Sequence, residues 1–337
     1  MQQAQTTKGK RERWYQSKVF KRFRRNPLAL VGASILVVYV LIAIFAPVIT
    51  ADRMGRACLR DLGLSRQEAV TELRNPLSGH FWKAIVAPPE SCYTIPRAGY
   101  SPVPKPPSAK YPLGVSGGGY DILYGVVWGT RTAFYIGVLV TAISLGIGIL
   151  VGGLAGFFGG RVDTLLMRFT DVIFAFPNLV LAMVIVSVMG RSLTNIMIAI
   201  ALVGWPTYAR ILRGDILKTK ALDFVDAAHA LGAGPMRIFF KHVLPNSIGP
   251  LIIVASLDIG AVVLTAAALS FLGLGADVGY ADWGQMINFA RGWIQGPPGQ
   301  PFAYWYVSFW PGLVIVLFVL GWNLLGDAVR DALDPRS

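Results

Sequence analysis

The sequence predicts an all-α membrane protein with six membrane-spanning helices. Only 15% of its 337 residues are charged, 54% are hydrophobic and the mean hydropathy is +0.54, whereas soluble domains carry about 25% charged residues. Apolar runs long enough to cross a hydrocarbon core of about 30 Å recur along the chain. Because lipid offers the backbone no hydrogen-bond partner, such runs form helices.

The predicted spans divide the chain into a membrane core, one large insert and two tails. Residues 1–27 form a basic tail, residues 51–131 an extracytoplasmic insert and residues 327–337 a second tail. Residues 132–326 hold a core of five helices, together with a polar segment at residues 213–245. The six spans are predicted at residues 28–50, 133–158, 172–189, 193–209, 248–276 and 302–326.

The basic residues predict which side of the membrane each segment occupies. Residues 1–27 hold nine Lys and Arg against a single acid, Glu12, and residues 210–247 hold six more. Lys and Arg in short flanks favour the cytoplasmic side, so an even number of spans places both termini in the cytoplasm. Attraction to anionic lipid accounts for the basic tail better than nucleic-acid binding does.

The two cysteines, Cys58 and Cys92, both lie in the insert. The space outside a bacterial-type inner membrane is oxidising, so the pair predicts a disulfide; two buried free thiols are the alternative. The insert itself is interpreted as a cap or an outer docking feature. A poorly ordered loop is the alternative, which the cysteines disfavour.

Two polar features of the predicted spans are candidate functional or structural sites. Asp258 is the one acid well inside a span, near mid-membrane. Intramembrane charges are costly and usually face a bundle interior or water, so Asp258 either lines a translocation path or makes an interhelical hydrogen bond. Arg168 and Asp171 are three residues apart on one helical face, which favours a structural ion pair over a substrate or proton site.

Four glycines recur at four-residue spacing in and just after the second span. In lipid, small residues allow helix backbones to approach closely. The stripe therefore predicts a packing seam, either inside the bundle or against a second subunit. Its members are Gly148, Gly152, Gly156 and Gly160.

The polar segment contains a short helix that is suited to docking in another protein. Asp223 is a predicted N-cap for a helix through residue 231, and Gly232 fits the position after a helix end. Ala227 and Ala228 leave a smooth face. Beside them, an apolar knob is predicted to enter a groove. It consists of Phe224, Val225 and Leu231.

This segment resembles the EAA loop of ATP-binding-cassette (ABC) importer permeases. The resemblance rests on Asp226-Ala227-Ala228, Gly232 and Leu244-Pro245. Asp226 stands where the family usually has Glu, which keeps the charge, and His242 stands where many members have Ile. Further segments resemble the second, or C-type, permease of the dipeptide and oligopeptide branch. They are residues 111–114, 167–177, 267–275 and 323–336.

The resemblance implies a type I ABC importer permease fold in the bacterial inner membrane and a defined set of partners. These are a second homologous permease, two cytoplasmic ABC ATPase subunits and an extracytoplasmic substrate-binding protein. The chain would be non-catalytic and hold no metal or cofactor, since ATP and Mg²⁺ would bind to the ATPases. The coupling residues would be Asp223, Phe224, Val225, Asp226, Ala227, Ala228, Leu231 and Gly232.

The implied activity is import of di- or oligopeptides by alternating access. Nickel chelates, haem-like compounds and glycosides are the alternative substrates within the same branch. Two other classes of function are disfavoured. A membrane-embedded enzyme would need a catalytic cluster, but the three histidines lie in aqueous segments and the motif H-E-x-x-H does not occur. A passive channel would leave the docking segment without a purpose.

Overall fold

A computed structural model describes residues 26–333 of the chain. Nearly all of the basic tail predicted over residues 1–27 lies outside these residues, as does the end of the second tail. Across the described part, the backbone is helical apart from turns, irregular loops and isolated β-bridges.

The helices are numbered here in chain order. The insert holds three of them, and the polar segment is also made of short helices. Turns of 3₁₀ or π geometry occur at Glu90–Tyr93, Gly117–Gly119, Phe239–Val243 and Arg291–Trp293. The α-helices are α1 (Pro27–Ile49), α2 (Arg56–Leu62), α3 (Arg66–Arg74), α4 (Gly79–Val86), α5 (Ile122–Phe158), α6 (Gly160–Phe174), α7 (Asn178–Met189), α8 (Leu193–Lys220), α9 (Asp223–Ala230), α10 (Pro235–Ile238), α11 (Leu244–Ser247), α12 (Gly249–Phe271), α13 (Trp283–Ala290) and α14 (Trp305–Leu333).

Five helices, α1, α5, α8, α12 and α14, are long and apolar enough to cross a membrane. The third predicted span differs from the expectation of one helix over residues 172–189. Here α6 and α7 meet at an angle of 86°, and the pair counts as a sixth span only if both are taken together. The break falls at Pro177, which has no amide hydrogen and disfavours helical geometry in the residue before it.

The glycine seam lies inside the bundle, between α5 and α8. A Cβ atom on Gly148 would collide with Tyr208, and one on Gly152 would collide with the backbone of Ala209. Gly156 lies against Ile216 less tightly, with a built Cβ atom 3.0 Å from the Ile216 Cβ. Three of the four predicted seam residues therefore bring two helices of this chain together. Gly160 differs, because it lies beyond the end of α5 in the left-handed region, with φ +55°.

The remaining long helices complete the bundle, with α12 against both α5 and α14, and α1 against α14. The start of α1 meets the end of α14, where the amide nitrogen of Asn26 donates to Asp331 at 3.4 Å. Residues 26 and 331 therefore lie on one side of the bundle, called here the terminal side, as an even number of crossings requires. Because α14 runs through Leu333, much of the tail predicted over residues 327–337 is helical.

The insert is a folded cap on the opposite side of the bundle, called here the insert side. Cys58 of α2 and Cys92 form a disulfide with Cα atoms 4.5 Å apart, and both are fully buried. Beneath them, the Tyr124 hydroxyl of α5 donates to the Cys92 carbonyl at 2.7 Å. The Trp128 indole donates to Thr50 at 2.9 Å. The predicted disulfide is confirmed, and the alternative of a poorly ordered loop is wrong.

Candidate functional site

The candidate coupling helix is α9, which follows α8 directly on the terminal side. The ends of α5 and α8 are joined there by Lys220, whose ammonium donates to the Phe157 carbonyl at 2.5 Å. The helix begins one residue earlier than predicted: Asp223 is its first residue, and Leu222 occupies the cap position without a side-chain hydrogen bond. Asp223 and Asp226 lie in the first turn, where negative charge is favourable beside the helix N-terminus.

Gly232 ends α9 with a complete Schellman motif. Its φ is +76°, in the left-handed region that glycine adopts without a Cβ penalty. The Gly232 amide donates to the His229 carbonyl at 2.9 Å, and the Ala233 amide donates to the Ala228 carbonyl at 3.1 Å. These are the two hydrogen bonds that define the motif. The helix therefore stops at a fixed point, and the chain turns back towards α10.

One face of α9 is packed against the rest of the protein. Val225 is 3% exposed, and both Val225 and Ala228 belong to a buried cluster with Leu212 and Ile216 of α8. Phe239, from the π turn, closes the same cluster. The prediction that Val225 forms part of an outward knob is therefore wrong. Helical spacing points it in the same direction as Ala228, towards α8.

The other face of α9 is bare. Phe224 is 40% exposed and Leu231 is 89% exposed, while Ala227, also exposed, lies between them. These three residues are spaced i, i+3 and i+7 and so share one side of the helix. The helix thus has an anchored back and an exposed apolar front, which is the arrangement of a helix that enters a partner's groove.

The return segment is fixed to α8 as well. The Ser247 hydroxyl of α11 lies 2.9 Å from the Thr219 hydroxyl of α8, and both side chains are buried. Val243 is fully buried in the cluster behind α9. The Leu244-Pro245 pair therefore marks the point where the chain leaves the coupling segment and re-enters the bundle.

Asp258 lies within α12, beside Tyr208 of α8. No ion pair to Asp258 is formed by residues 26–333, and the Tyr208 hydroxyl is buried without a hydrogen-bond partner. Tyr208 nevertheless lies close enough to act on the Asp258 carboxylate as a hydrogen-bond donor, so the predicted interhelical hydrogen bond has a candidate donor and both alternatives for Asp258 stay open. Sequence reasoning missed Tyr208, although Gly148, which makes room for it, was noted.

The ion pair predicted between Arg168 and Asp171 is wrong. The Asp171 carboxylate binds Arg210 of α8 instead, at 2.8 Å. The Arg210 guanidinium also lies 4.2 Å from the centre of the Phe174 ring, which holds it over α6. A second pair joins the same helices, with Arg213 donating to Asp163 at 2.6 Å. The spacing of residues within one helix does not reveal that the neighbouring helix α8 supplies the partner of Asp171.

Comparison with known proteins identifies the chain. The family model for the inner-membrane component of binding-protein-dependent transport systems matches residues 148–337. A model for the N-terminal transmembrane domain of oligopeptide transport permease C matches residues 15–56. The chain belongs to this transport family. Its permeases include the dipeptide transport system permease protein DppC of Alkalihalophilus pseudofirmus, which is 37% identical over 317 residues, covering 94% of this chain and 88% of the relative.

The chain is a multi-pass permease subunit of an ABC importer, of the C type found in the dipeptide and oligopeptide branch. The same likeness extends to the nickel transport system permease protein NikC of Escherichia coli, with 41% identity over 68% of this chain and 80% of the relative. The inward-facing MetNI methionine ABC transporter shares the fold, with TM-score 0.50 and 18% identity over 63% of this chain and 98% of that one.

In this permease, the matched residues 148–337 include the whole of α9, its Schellman glycine and Asp258. The insert lies between the two matched segments for most of its length. Among residues 26–333, no three His, Cys, Asp or Glu side chains lie close enough together to hold a metal ion. The exposed helix on the terminal side and the acid inside the bundle both lie within the matched residues.

Proposed function

We propose that this permease imports di- or oligopeptides into the cytoplasm by alternating access, driven by separate ATPase subunits. The observation that most directly supports this proposal is the arrangement of α9. Its back is anchored by Val225 and Ala228, while its front, from Phe224 to Leu231, is exposed. A front of this kind fits a groove in a partner. Its firm attachment to α8 would pass a displacement of that partner into the bundle.

The partners of the proposed assembly follow from its energy source. The sequence has no G-x-x-x-x-G-K-[ST] loop, so two cytoplasmic ABC ATPase subunits would bind the ATP and Mg²⁺, and this chain would catalyse no reaction. A second homologous permease would complete the pore. An extracytoplasmic binding protein would deliver substrate to the insert side.

The proposed orientation places the terminal side in the cytoplasm of a bacterium and the insert outside its inner membrane. Nine basic residues in the first 27 support this orientation. A buried disulfide in the insert supports it from the other side, because such bonds persist in oxidising compartments. Within the bundle, Asp258 is proposed to line the translocation path together with Tyr208, because Asp258 has no ion-pair partner among residues 26–333 and Tyr208 is its polar neighbour.

The coupling proposal is tested by charging the front of α9. We expect Leu231→Asp combined with Phe224→Asp to reduce ATP-driven uptake by about 10-fold or more, because a charge in an apolar groove is costly. The ATPase subunits should also co-purify less well with the variant. Leu77→Asp is the matched control, because Leu77 is 92% exposed in the insert and should tolerate the same change.

The result that would contradict coupling is full uptake and full co-purification of the ATPase subunits with the double variant.

The substrate is tested separately, in proteoliposomes that contain every subunit. The likeness to a nickel permease makes radioactive nickel the second substrate to compare with radiolabelled trialanine. ATP-dependent accumulation of trialanine supports the peptide proposal, and accumulation of nickel alone replaces it.

A further inference from the structure

Two cavities open on the insert side of the bundle, away from the helix that is proposed to couple this chain to the ATPases. The first, of about 480 Å³, lies between the turn that carries Glu90, the outer part of α5 at Tyr135, and Arg191, which precedes α8. The second, of about 450 Å³, adjoins it and shares Arg191 and Asp277. Each is within the range of small-molecule sites, roughly 300–1,000 Å³. Together they are called here the outer vestibule.

The vestibule is lined by charges of both signs. Glu90, Arg191, Asp277 and Arg291 are all exposed there. None of them forms an ion pair or a side-chain hydrogen bond with any residue in 26–333, whereas Asp171 of α6 is paired with Arg210. Unpaired charges of opposite sign around one concave site suit a ligand that carries both a carboxylate and an ammonium group.

The wall that presents these charges is held firmly. Tyr93 and Tyr280 stack with ring centres 5.7 Å apart. The Ala281 amide donates to the Tyr93 carbonyl at 2.7 Å, and the Thr132 hydroxyl donates to the Ala281 carbonyl at 2.9 Å. The turn that begins at Glu90 is also fixed by the disulfide at Cys92. A preformed site of this kind spends little free energy on ordering when a ligand binds.

We propose that the outer vestibule binds a short peptide through its two termini. Arg191 receives the terminal carboxylate, because a guanidinium forms paired hydrogen bonds with that group. Glu90 and Asp277 receive the terminal ammonium. A free divalent cation is disfavoured, since Arg191 and Arg291 both border the cavities and would repel it. This inference rests on the proposed peptide substrate and adds the residues that would recognise it.

The test compares three ligands on the assembled transporter in lipid nanodiscs, with the binding protein omitted. The ligands are trialanine, N-acetyl-trialanine and trialanine amide, and their dissociation constants are measured by saturation-transfer NMR. With the unmodified chain, each blocking group should weaken binding about 10-fold, which is the size of one charge-assisted hydrogen bond.

The variants then assign each terminus to its partner. Arg191→Gln should weaken trialanine about 10-fold and leave trialanine amide unchanged. Asp277→Asn combined with Glu90→Gln should weaken trialanine in the same way and leave N-acetyl-trialanine unchanged. Arg74→Gln is the control, because Arg74 is an exposed arginine of the insert with no ion pair among the described residues. It should bind all three ligands as the unmodified chain does.

The proposal is overturned if Arg191→Gln weakens all three ligands equally, or none, or if trialanine does not bind at all. ATP-driven uptake of trialanine by the complete transporter separates this failure from failure of the proposed function. Uptake without selective effects of the variants leaves a peptide importer whose vestibule does not recognise termini. Absence of uptake with the unmodified chain removes the peptide substrate itself.

Discussion

A single backbone angle at Gly232 sets the position where the coupling helix stops. Because φ is +76° there and no atom lies within 4 Å of a built Cβ, a larger residue would be opposed by backbone strain rather than by crowding. We expect Gly232→Val to cost about 1–2 kcal/mol locally and to uncouple ATP hydrolysis from uptake. The ratio of peptide imported to ATP hydrolysed measures this.

Gly234 provides the matched control for this prediction. It is also free of neighbours within 4 Å, but its φ of −65° and ψ of 152° suit any residue. Gly234→Val should keep the import-to-hydrolysis ratio of the unmodified chain. Equal behaviour of the two variants would show that the left-handed angle at Gly232 has no part in coupling.

Asp258 is predicted to act on transport and not on assembly. Asp258→Asn keeps the side-chain shape and removes the charge, so helix packing around Tyr208 should survive. We expect peptide uptake to change by about 10-fold, the scale of one charged hydrogen bond, while the purified complex keeps its subunits. Unchanged uptake and substrate range would mean that Asp258 has a structural role.

For single residues, the sequence predicted a structural role where a local pattern has one physical cause. The left-handed angle of Gly232 was predictable because a helix end favours it, and the Cys58–Cys92 disulfide because the predicted compartment is oxidising. The ion pair of Asp171 was not predictable, because Arg210 reaches it from another helix, at a sequence separation of 39. Tyr208 was missed for the same reason: its neighbour Asp258 is contributed by another helix.

Among the elements, the insert depends most on a covalent bond. Its helices α2 to α4 are short, and the disulfide closes a loop with a sequence separation of 34. Replacing both cysteines by serine should destabilise the insert by about 3–4 kcal/mol on a loop-entropy model. We expect faster trypsin cleavage at Arg60 and Arg66 in the double variant. Cleavage at Arg237, on the terminal side, is the internal control and should keep its rate.

The short helix α13 contains a buried acid that predicts a pH dependence. Asp282 caps α13 through its Oδ1, which accepts from the Gly284 amide at 3.2 Å, while Oδ2 has no partner. Burial raises the pKa of Asp282. A raised pKa in the folded state means that the stability present at low pH is lost as the pH rises through that value.

The variant Asp282→Asn keeps the cap and removes the ionised form. We therefore expect it to be more stable than the unmodified chain at pH 8, by about 1–3 kcal/mol, with the difference shrinking towards pH 4. Thermal unfolding across this pH range measures it. Asp121→Asn is the contrasting control: Asp121 also caps a helix, but its Oδ2 binds Arg53 at 2.9 Å, so neutralising it should destabilise.

The composition predicts which segments form membrane helices, but it does not predict where each helix begins and ends. An apolar window records the part of a helix that lies in lipid, whereas α5 starts at Ile122 and α8 continues to Lys220 through polar residues. Pro177 accounts for a break in the third span, yet the angle of 86° between α6 and α7 depends on packing against other helices. The vestibule could not be predicted from the sequence either, since it is lined by segments that are far apart along the chain.

For the whole molecule, the proposed orientation predicts which residues a reagent can reach. In a chain with both native cysteines replaced by serine, a membrane-impermeant maleimide on intact cells should label Arg74→Cys in the insert. Arg237→Cys and Arg330→Cys should react only after the membrane is opened. All three arginines are exposed, so unequal reactivity reports sidedness and not burial. Labelling of Arg237→Cys in intact cells would reverse the assignment.

The seam between α5 and α8 also limits how the molecule can evolve. At Gly148 and Gly152 the facing helix leaves no room for a methyl group, and at Gly156 the fit would be tight. A lineage that acquires alanine at Gly148 or Gly156 must change the facing side chain or separate the helices, whereas at Gly152, which faces backbone, only separation makes room. Separation would also disturb the vestibule, whose lining includes residues of both helices. Substitutions along these facing surfaces should therefore be inherited in pairs, even where neither residue meets a substrate.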